Sequence, residues 1–184
     1  MGESKPALFL DRDGVVNRDH GYVFGKKNFD FYPEIFEICL LAQKSGMPIV
    51  IVTNQSGIGR GYFSEREYQE LTEWMILSFK NHGIDLTDVL HAPENPDSDL
   101  EPMLDRRKPS PAMFLEAAIK FNLNLTDSIM IGDNEIDMIA AQRAGIECRI
   151  LIGAHEGTTV ASEVVEAHSH CFDFFKKYVT RSKE

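Results

Sequence analysis

The chain has 184 residues, of which 43% are hydrophobic and 26% are charged, a composition that excludes collagen-like, coiled-coil and disordered classes. Its formal net charge of −10 disfavours nucleic acid as a partner, because the phosphate backbone repels an acidic surface. No apolar stretch approaches the roughly 18 residues of a membrane span, and the polar N-terminus lacks the apolar region of a signal peptide. We therefore expect a cytoplasmic protein with no membrane partner.

Five short apolar runs predict the strands of a parallel sheet. Each run is apolar almost throughout, which is typical of strands covered on both faces. Helix-like segments separate the runs, as the crossover connections of a parallel sheet require. In chain order the predicted strands span residues 8–10, 48–52, 88–91, 128–131 and 149–152.

The predicted helices have recognisable ends. Pro33 begins the first and Gly46 follows its last turn, which is the usual placement of these two residues. Ser64 and Glu67 form a capping box at the start of the second. The helices are predicted from Pro33 up to Gly46, from Ser64 through Phe79, from Met113 to Phe121 and from Ile136 to Ala144.

The C-terminal segment is weakly patterned from His155 onward. Its run of His168, Ser169, His170 and Cys171 lacks further ligands at metal-binding spacing, and we predict a solvated turn there. The three cysteines, Cys39, Cys148 and Cys171, are an odd number among apolar residues. We expect buried free thiols in a reducing compartment.

The alternation of strands and helices predicts a doubly wound α/β fold of the Rossmann type. We expect a single catalytic domain over residues 1–184, with a core at about 7–153 and a C-terminal extension at 154–184. In such sheets, ligands bind beyond the carboxyl ends of the strands. The residues that follow each predicted strand are therefore the candidates for a functional site.

Asp11 and Asp13 follow the first strand directly and are the most informative feature of the sequence. Side chains two residues apart on an extended segment point the same way. Two neighbouring carboxylates repel each other unless one is protonated or a cation lies between them. Gly14 then allows the backbone to turn sharply near a ligand. The pair predicts a divalent metal, a proton-transfer role, or both.

Three further strand or helix ends carry polar groups. The segment 53–57 (Thr-Asn-Gln-Ser-Gly) follows the second strand and offers two hydroxyls, two amides and a turn of backbone N–H groups. Asp133 follows the fourth strand, with Asp137 one helical turn later. The basic residues 106–108 precede the third helix. Each feature is also common in ordinary loops, but their coincidence at one sheet edge favours a site.

These groups suit phosphoryl transfer. A carboxylate can attack phosphorus and form an aspartyl-phosphate, and a second carboxylate can donate a proton to the leaving alkoxide. Mg²⁺ prefers oxygen ligands and suits carboxylates and phosphate together. Lysine and threonine can compensate the charge of the transferring group.

The segments 11–17, 19–23, 53–61 and 107–109 resemble the haloacid dehalogenase superfamily of phosphatases. Within it they resemble the heptose bisphosphate phosphatase branch, and less closely the histidinol-phosphate phosphatase branch. The resemblance runs from about Leu8 to Ile152. It implies Mg²⁺-dependent hydrolysis of the 7-phosphate of a D-glycero-D-manno-heptose 1,7-bisphosphate through an aspartyl-phosphate.

The resemblance also implies a role for individual residues. Asp11 would be the nucleophile and Asp13 the general acid and base, with Thr53 and Lys108 stabilising the phosphoryl group. Mg²⁺ would be held by Asp11, the backbone carbonyl of Asp13, and Asp133. Asp137 would support Lys108 or the metal shell. The implied substrate contacts are Arg12, Asp19, His20, Gly21, Tyr22, Asn54, Gln55, Ser56 and Arg107.

The sequence departs from the family pattern in two places. Relatives commonly hold a structural zinc ahead of the Arg-Lys-Pro motif, but residues 91–107 contain one histidine and no cysteine. We expect no zinc there, with Pro93, Pro96 and Pro102 stiffening the loop. Asn134 replaces the basic residue that follows Gly-Asp in the family.

The stretches 17–31 and 92–107 are too short to form a separate cap domain, so the resemblance implies a capless enzyme, a monomer or weak homo-oligomer. Two alternatives stay open. The enzyme could act on histidinol phosphate or another small phosphate ester, and the sequence does not choose between heptose anomers. A phospho-accepting receiver domain also gathers acids, threonine and lysine at strand ends, but the third strand here offers no acceptor aspartate.

Overall fold

The computed structural model describes residues 3–97 and 106–181, with side chains as far as residue 179. The central part of the proline-containing loop, including Pro102, lies outside the described residues, as does the end of the predicted C-terminal extension. No helix within the described ranges is long and apolar enough to cross a membrane.

The described strands form one six-stranded, entirely parallel sheet in the order β3-β2-β1-β4-β5-β6. This arrangement confirms the predicted doubly wound α/β fold. The strand β1 lies between β2 and β4 in the middle of the sheet, and these three strands are almost entirely buried. The strands are β1 (Leu8–Leu10), β2 (Ile49–Asn54), β3 (Asp88–Ala92), β4 (Ile129–Gly132), β5 (Cys148–Ile152) and β6 (Glu163–Val165).

The register of the central strands brings their carboxyl ends level. Leu10 of β1 lies opposite Ile51 on one side and Ile131 on the other. The residues that continue each strand, beginning with Asp11, therefore emerge at the same edge of the sheet. This edge is the place where the sequence predicts a site.

Helices cover both faces of the sheet. Leu8 and Leu10 pack into a core cluster with Ile35 of α1, Met75 of α3 and Phe175 of α6. On the other face, Phe9 packs with residues of α4 and α5, as alternation along a strand requires. The helices are α1 (Pro33–Lys44), α2 (Ser56–Gly59), α3 (Glu65–Asn81), α4 (Ala112–Phe121), α5 (Glu135–Arg143) and α6 (His168–Arg181).

The C-terminal segment corrects the sequence prediction. Residues 168–171 begin α6 and do not form a solvated turn. Cys171 and Phe175 are fully buried, because α6 packs against α1 and covers the end of one core cluster. Residues 163–165 also add β6 to the edge of the sheet. The burial of all three cysteines as free thiols confirms that part of the prediction.

Candidate active site

The polar strand ends surround one cleft of about 340 Å³ at the carboxyl edge of the sheet. The cleft is lined by the end of β2, by residues that follow β1 and β4, by the starts of α2 and α5, and by Lys108 ahead of α4. All the predicted site residues line it except Arg12, His20 and Arg107. The sequence prediction that these distant segments meet at one edge is therefore reproduced by the fold.

Lys108 is the electrostatic centre of the cleft floor. Its Nζ lies 2.7 Å from Asp11 Oδ1 and 2.6 Å from Asp137 Oδ1, and it donates to the carbonyl of Val52 at 2.8 Å. Its side chain is 1% exposed. A buried ammonium needs such a set of partners. The fixed lysine joins the end of β1 to the start of α5.

The first turn of α5 fixes Asp137. Asn134 is the N-cap residue, and its side chain accepts a hydrogen bond from the backbone N–H of Ile136. Asp137 Oδ2 in turn accepts from the N–H of Asn134 at 3.2 Å, so the carboxylate closes a capping box. Its other oxygen remains for Lys108. The expected supporting role of Asp137 therefore has a structural basis in the helix cap.

The floor carries more carboxylates than cations. Burial, together with Asp137 and Asp133, raises the pKa of Asp11 to about 8, although Lys108 opposes this. Burial and Asp137 also raise the pKa of Asp133 to about 7. Burial opposes the charge of Lys108, but Asp11 and Asp137 outweigh it and raise its pKa. The lysine stays protonated, but one positive charge does not offset three neighbouring carboxyl groups, which is why Asp11 and Asp133 keep their protons to a higher pH.

A divalent cation fits this excess of carboxyl groups. Carboxylate oxygens of Asp11, Asp133 and Asp137 all lie within 4.8 Å of one another, and oxygen donors are the ligands that Mg²⁺ prefers. Gly14, at φ 83°, leaves the space beside Asp133 open, since a Cβ at this position would overlap the carboxylate. The residues present therefore suit Mg²⁺. Asp137 joins the predicted ligands Asp11 and Asp133 in this group.

Asp13 is held in a ring of donors. Its Oδ1 accepts from Arg12 Nη2 at 3.0 Å and from Asn17 Nδ2 at 3.0 Å. Its Oδ2 accepts from Arg12 Nη2 at 2.8 Å and from Gln55 Nε2 at 3.0 Å. Asn17 also belongs to this ring. It lies in the motif 11–17, but the sequence did not lead us to predict it as a site residue. Its signal was an amide four residues after a strand-end acid.

Arg12 is among the predicted substrate contacts. The residue is 1% exposed and does not line the cleft. The guanidinium contacts Asp13 and the carbonyl of Val23. The structure therefore places Arg12 behind Asp13, and direct contact of its side chain with substrate stays a prediction.

The end of β2 forms a second network. Gln55 Nε2 donates to Thr53 Oγ1 at 2.9 Å as well as to Asp13, which links the two strand ends. The side chain of Asn54 accepts from the N–H of Lys108 at 2.9 Å and donates to its carbonyl at 3.1 Å. Asn54 and Gln55 line the cleft, as predicted, but much of their hydrogen-bonding capacity is used inside the protein.

The rim of the cleft is formed by the loop 18–25 and by Ser56. Asp19 Oδ1 accepts from the N–H of Gly21 at 2.8 Å, and this turn presents Tyr22 to the cleft. Tyr22 is 47% exposed and packs edge to face with Tyr62 at a ring-centroid distance of 4.7 Å. His20 faces away and pairs with Asp30. Substrate contacts by His20 and Arg107 stay predictions.

His91, the one histidine of the segment 91–107, has a partner of its own. Its Nε2 lies 2.9 Å from Glu65 Oε1, and its ring packs against Tyr68. These contacts connect β3 to the start of α3. The prediction that no zinc binds in this segment stays a prediction, and analysis of the metal content of the purified protein would test it.

The fold and the acidic strand ends together define a class, the hydrolases that transfer phosphoryl groups to an aspartate at the end of a central parallel strand. The sequence model of the HAD-hydrolase-like family matches residues 105–175. Similarity to individual proteins extends much further along the chain.

Two curated relatives illustrate this similarity. The D-glycero-β-D-manno-heptose-1,7-bisphosphate 7-phosphatase of Vibrio cholerae serotype O1 is 40% identical over 165 residues, 88% of this chain and 89% of that protein. The enzyme of the same name from Photorhabdus laumondii is 41% identical over 170 residues, 91% of this chain and 89% of its own. Both alignments are long enough to establish family membership.

A solved structure agrees with these relatives. The D,D-heptose 1,7-bisphosphate phosphatase of B. bronchiseptica, in complex with magnesium and phosphate, superposes with a TM-score of 0.78 at 25% identity. The alignment covers 94% of this chain and 98% of that one. The chain belongs to the heptose bisphosphate phosphatase family of the HAD-like hydrolases. It is a Mg²⁺-dependent phosphomonoesterase of that family.

Proposed function

We propose that the protein removes the 7-phosphate from D-glycero-β-D-manno-heptose 1,7-bisphosphate. The observation that carries this proposal is the cleft floor, where Asp11, Lys108 and Asp137 are held within hydrogen-bonding distance in a family whose named members act on this substrate. The β anomer follows from the names of those relatives. The cleft volume of about 340 Å³ is ample for a phosphorylated sugar's reacting end.

In the first step, we assign the nucleophile to Asp11. One of its carboxylate oxygens forms a bond to phosphorus while the bond between phosphorus and the sugar oxygen breaks. The leaving alkoxide takes a proton from the carboxyl group of Asp13. Lys108 pairs with Asp11 Oδ1, which fixes the plane of the carboxylate and keeps its other oxygen for attack. The products of this step are the heptose 1-phosphate, with a free hydroxyl at position 7, and an aspartyl-phosphate on Asp11.

In the second step, water releases the phosphate. Asp13, now a carboxylate, takes a proton from water as the water oxygen bonds to phosphorus. The bond between phosphorus and the Asp11 oxygen breaks, which returns Asp11 as a carboxylate and Asp13 as an acid. Thr53 and Lys108 compensate the charge on the phosphoryl oxygens. Both residues are nearly fully buried, so water screens their charges and dipoles little.

Asp11, the backbone carbonyl of Asp13, and Asp133 would hold Mg²⁺, with Asp137 close by. When bound, the ion neutralises negative charge on the phosphoryl group and on the nucleophile. Removal of the metal with a chelator should abolish turnover, and added Mg²⁺ should restore it.

Recognition of the sugar is assigned to the rim. Asp19 and Tyr22 line the cleft beyond the floor, where they can contact the part of the substrate that does not react. Arg107 precedes Lys108 in the chain and is a candidate partner for the second phosphate. We further propose a cytoplasmic location, because three buried free thiols suit a reducing compartment, and a monomer or weak homo-oligomer.

The test is phosphate release, in the presence of Mg²⁺, from the α and β anomers of the heptose bisphosphate and from histidinol phosphate. Asp11→Asn serves as the blank and should be slower by at least about 10⁴-fold. We expect the β anomer to have a kcat/KM at least about tenfold above the other substrates, and the product to retain its 1-phosphate in ³¹P spectra. Equal, slow cleavage of all three would reject the substrate but not the phosphatase chemistry. Wild-type turnover no faster than that of Asp11→Asn would reject both.

A further inference from the structure

Arg12 is a buried charge that none of the chemical steps uses directly. Its side chain is 1% exposed, and Nη1 has no hydrogen-bond partner among the described residues. A buried guanidinium group with an unpaired nitrogen is costly for the folded state. Because burial of this group lowers stability, we expect it to serve a function in the site. The contacts of Nε and Nη2 indicate that function.

Two nitrogens of Arg12 reach Asp13. Nε lies 3.3 Å and Nη2 3.0 Å from Oδ1, and Nη2 also lies 2.8 Å from Oδ2. The planar fork of arginine fixes the orientation of a carboxylate in a way that a single-point donor cannot. The Asp13 side chain is 21% exposed, on the side of the cleft, so Arg12 approaches it from the protein interior.

The same guanidinium is tied to the rim. Nη2 donates to the carbonyl of Val23 at 2.7 Å, one residue after Tyr22. The group also lies 5.9 Å from the ring centroids of both Phe29 and Tyr68, which favours a fixed position through cation–π attraction. Phe29 belongs to the connection from β1 to α1, and Tyr68 belongs to α3. Arg12 therefore has little freedom to move independently of either the rim or the core.

We propose that Arg12 is a positioning residue, which aims the carboxyl group of Asp13 at the leaving oxygen and couples its orientation to the loop 18–25. The proposal rests on the proposed function, because it takes Asp13 as the proton donor. In the step concerned, the proton moves from Asp13 to the sugar oxygen as the phosphorus–oxygen bond breaks. A misaligned Asp13 slows this transfer but leaves the attack by Asp11 intact.

The leaving group distinguishes this role from a merely structural one. An alkoxide needs the proton of Asp13, whereas p-nitrophenolate leaves without one. Arg12→Met should lower kcat/KM for the heptose bisphosphate by about 10²-fold, the usual cost of a misplaced catalytic group. It should lower kcat/KM for p-nitrophenyl phosphate by less than about fivefold. Should the wild type cleave histidinol phosphate instead, that ester replaces the heptose, since it also loses an alkoxide.

A double-mutant cycle with Asp13→Asn checks the path of the effect. If Arg12 acts through Asp13, Arg12→Met should cost less than about threefold further when Asp13 is already asparagine. Arg66→Met is the matched control, because Arg66 is an exposed arginine that pairs with Glu70 on the same helix and does not line the cleft. We expect this control to treat both esters alike.

Arg12→Lys keeps the test available if Arg12→Met fails to fold, as judged by circular dichroism and thermal unfolding. Lysine retains the charge but not the fork, so we expect an intermediate loss confined to the alkoxide ester. Equal losses on the two esters, or losses that add fully to those of Asp13→Asn, would overturn the proposal. These results require a wild type whose turnover depends on Asp11. Failure of the proposed function would appear separately, as absence of that turnover.

Discussion

At the floor of the cleft, Asp11, Thr53 and Lys108 are at most 8% exposed, whereas Tyr22 at the rim is 47% exposed and Tyr62, which packs on it, is 56% exposed. Asp11 follows a buried strand and pairs with Lys108, which also contacts Val52 and Asp137. Tyr22 and Tyr62 belong to surface loops, and their rings pack edge to face. In the proposed function, the phosphoryl chemistry belongs to the buried floor and substrate choice to exposed loops, which tolerate sequence change better than buried strands do.

Substitution of Lys108 tests the floor most severely. Lys108→Met should lower kcat/KM by about 10² to 10³-fold, because one buried stabiliser of the transferring group is lost. It also leaves Asp11 and Asp137 without their shared cation, which should lower the free energy of unfolding by about 3–5 kcal/mol in metal-free buffer. Urea unfolding and steady-state kinetics measure the two effects.

The matched control is Lys120→Met. Lys120 also pairs with an aspartate, Asp88, at 2.8 Å, but its side chain is 56% exposed. Its loss should leave the free energy of unfolding and the turnover nearly unchanged, because water screens an exposed ion pair. Similar losses for the two lysines would contradict the special status of the floor.

Asn54 lies at the boundary between floor and rim. Asn54→Ala removes both hydrogen bonds to the backbone of Lys108, and the resulting displacement of the lysine should lower kcat about 10- to 100-fold with little change in KM. Steady-state kinetics with Asn124→Ala, remote from the cleft, as control would check this. A raised KM with unchanged kcat would instead support direct substrate binding by Asn54.

The rim should respond in the opposite sense. Tyr22→Ala should raise KM for the heptose bisphosphate about three- to tenfold, the usual value of an aromatic contact, with kcat close to that of the wild type. Cleavage of p-nitrophenyl phosphate, which lacks the sugar, should be unaffected. A fall in kcat for both esters would show that the rim contributes to the chemistry as well as to recognition.

The smallest effect is expected outside the cleft lining, at His168. Burial lowers its pKa, although Glu34 opposes the shift, and its ring stacks on Tyr32 at 3.5 Å. A lowered folded-state pKa contributes stability that is complete above the ordinary histidine value of about 6.5. That contribution is lost as the pH falls from about 6.5 through the lower pKa that His168 has in the folded protein.

His168→Phe should therefore flatten the decline in unfolding free energy between about pH 7.5 and about pH 5.5. Urea unfolding at several pH values measures the slope for the wild type and for the variant. The stacking on Tyr32 is kept in this variant, so the comparison isolates the proton. Identical slopes for the two proteins would contradict the buried, neutral state of His168.

The sequence was sufficient to predict the central strands, and the position of the cleft at their carboxyl ends, because those strands are apolar runs that end in polar motifs. It was less informative for α6 and β6. Three residues of an edge strand show little periodicity, and the polar start of α6 masks the spacing of Cys171, Phe175 and Val179, which are buried along one side of the helix. That spacing of four was the available signal.

Within the site, motifs predicted which residues gather but not what each side chain does. Asn54, Gln55 and Arg12 were predicted to contact substrate, yet each makes hydrogen bonds that fix another site residue. The choice between a ligand and a neighbouring residue depends on side-chain orientation and burial. Neither can be determined from spacing along the chain.

The position of β1 in the middle of the sheet also has a consequence during synthesis. Leu8 of β1 is made near the start of synthesis, but its partner Ile129 in β4 is made only after about two thirds of the chain. Until then the strand that carries Asp11 has one edge uncovered, which is a hazard for aggregation. Asp133, which follows β4, arrives at the same late stage. A nascent chain therefore completes its cluster of Asp11, Asp133 and Asp137 only after β4 has been made and has paired with β1.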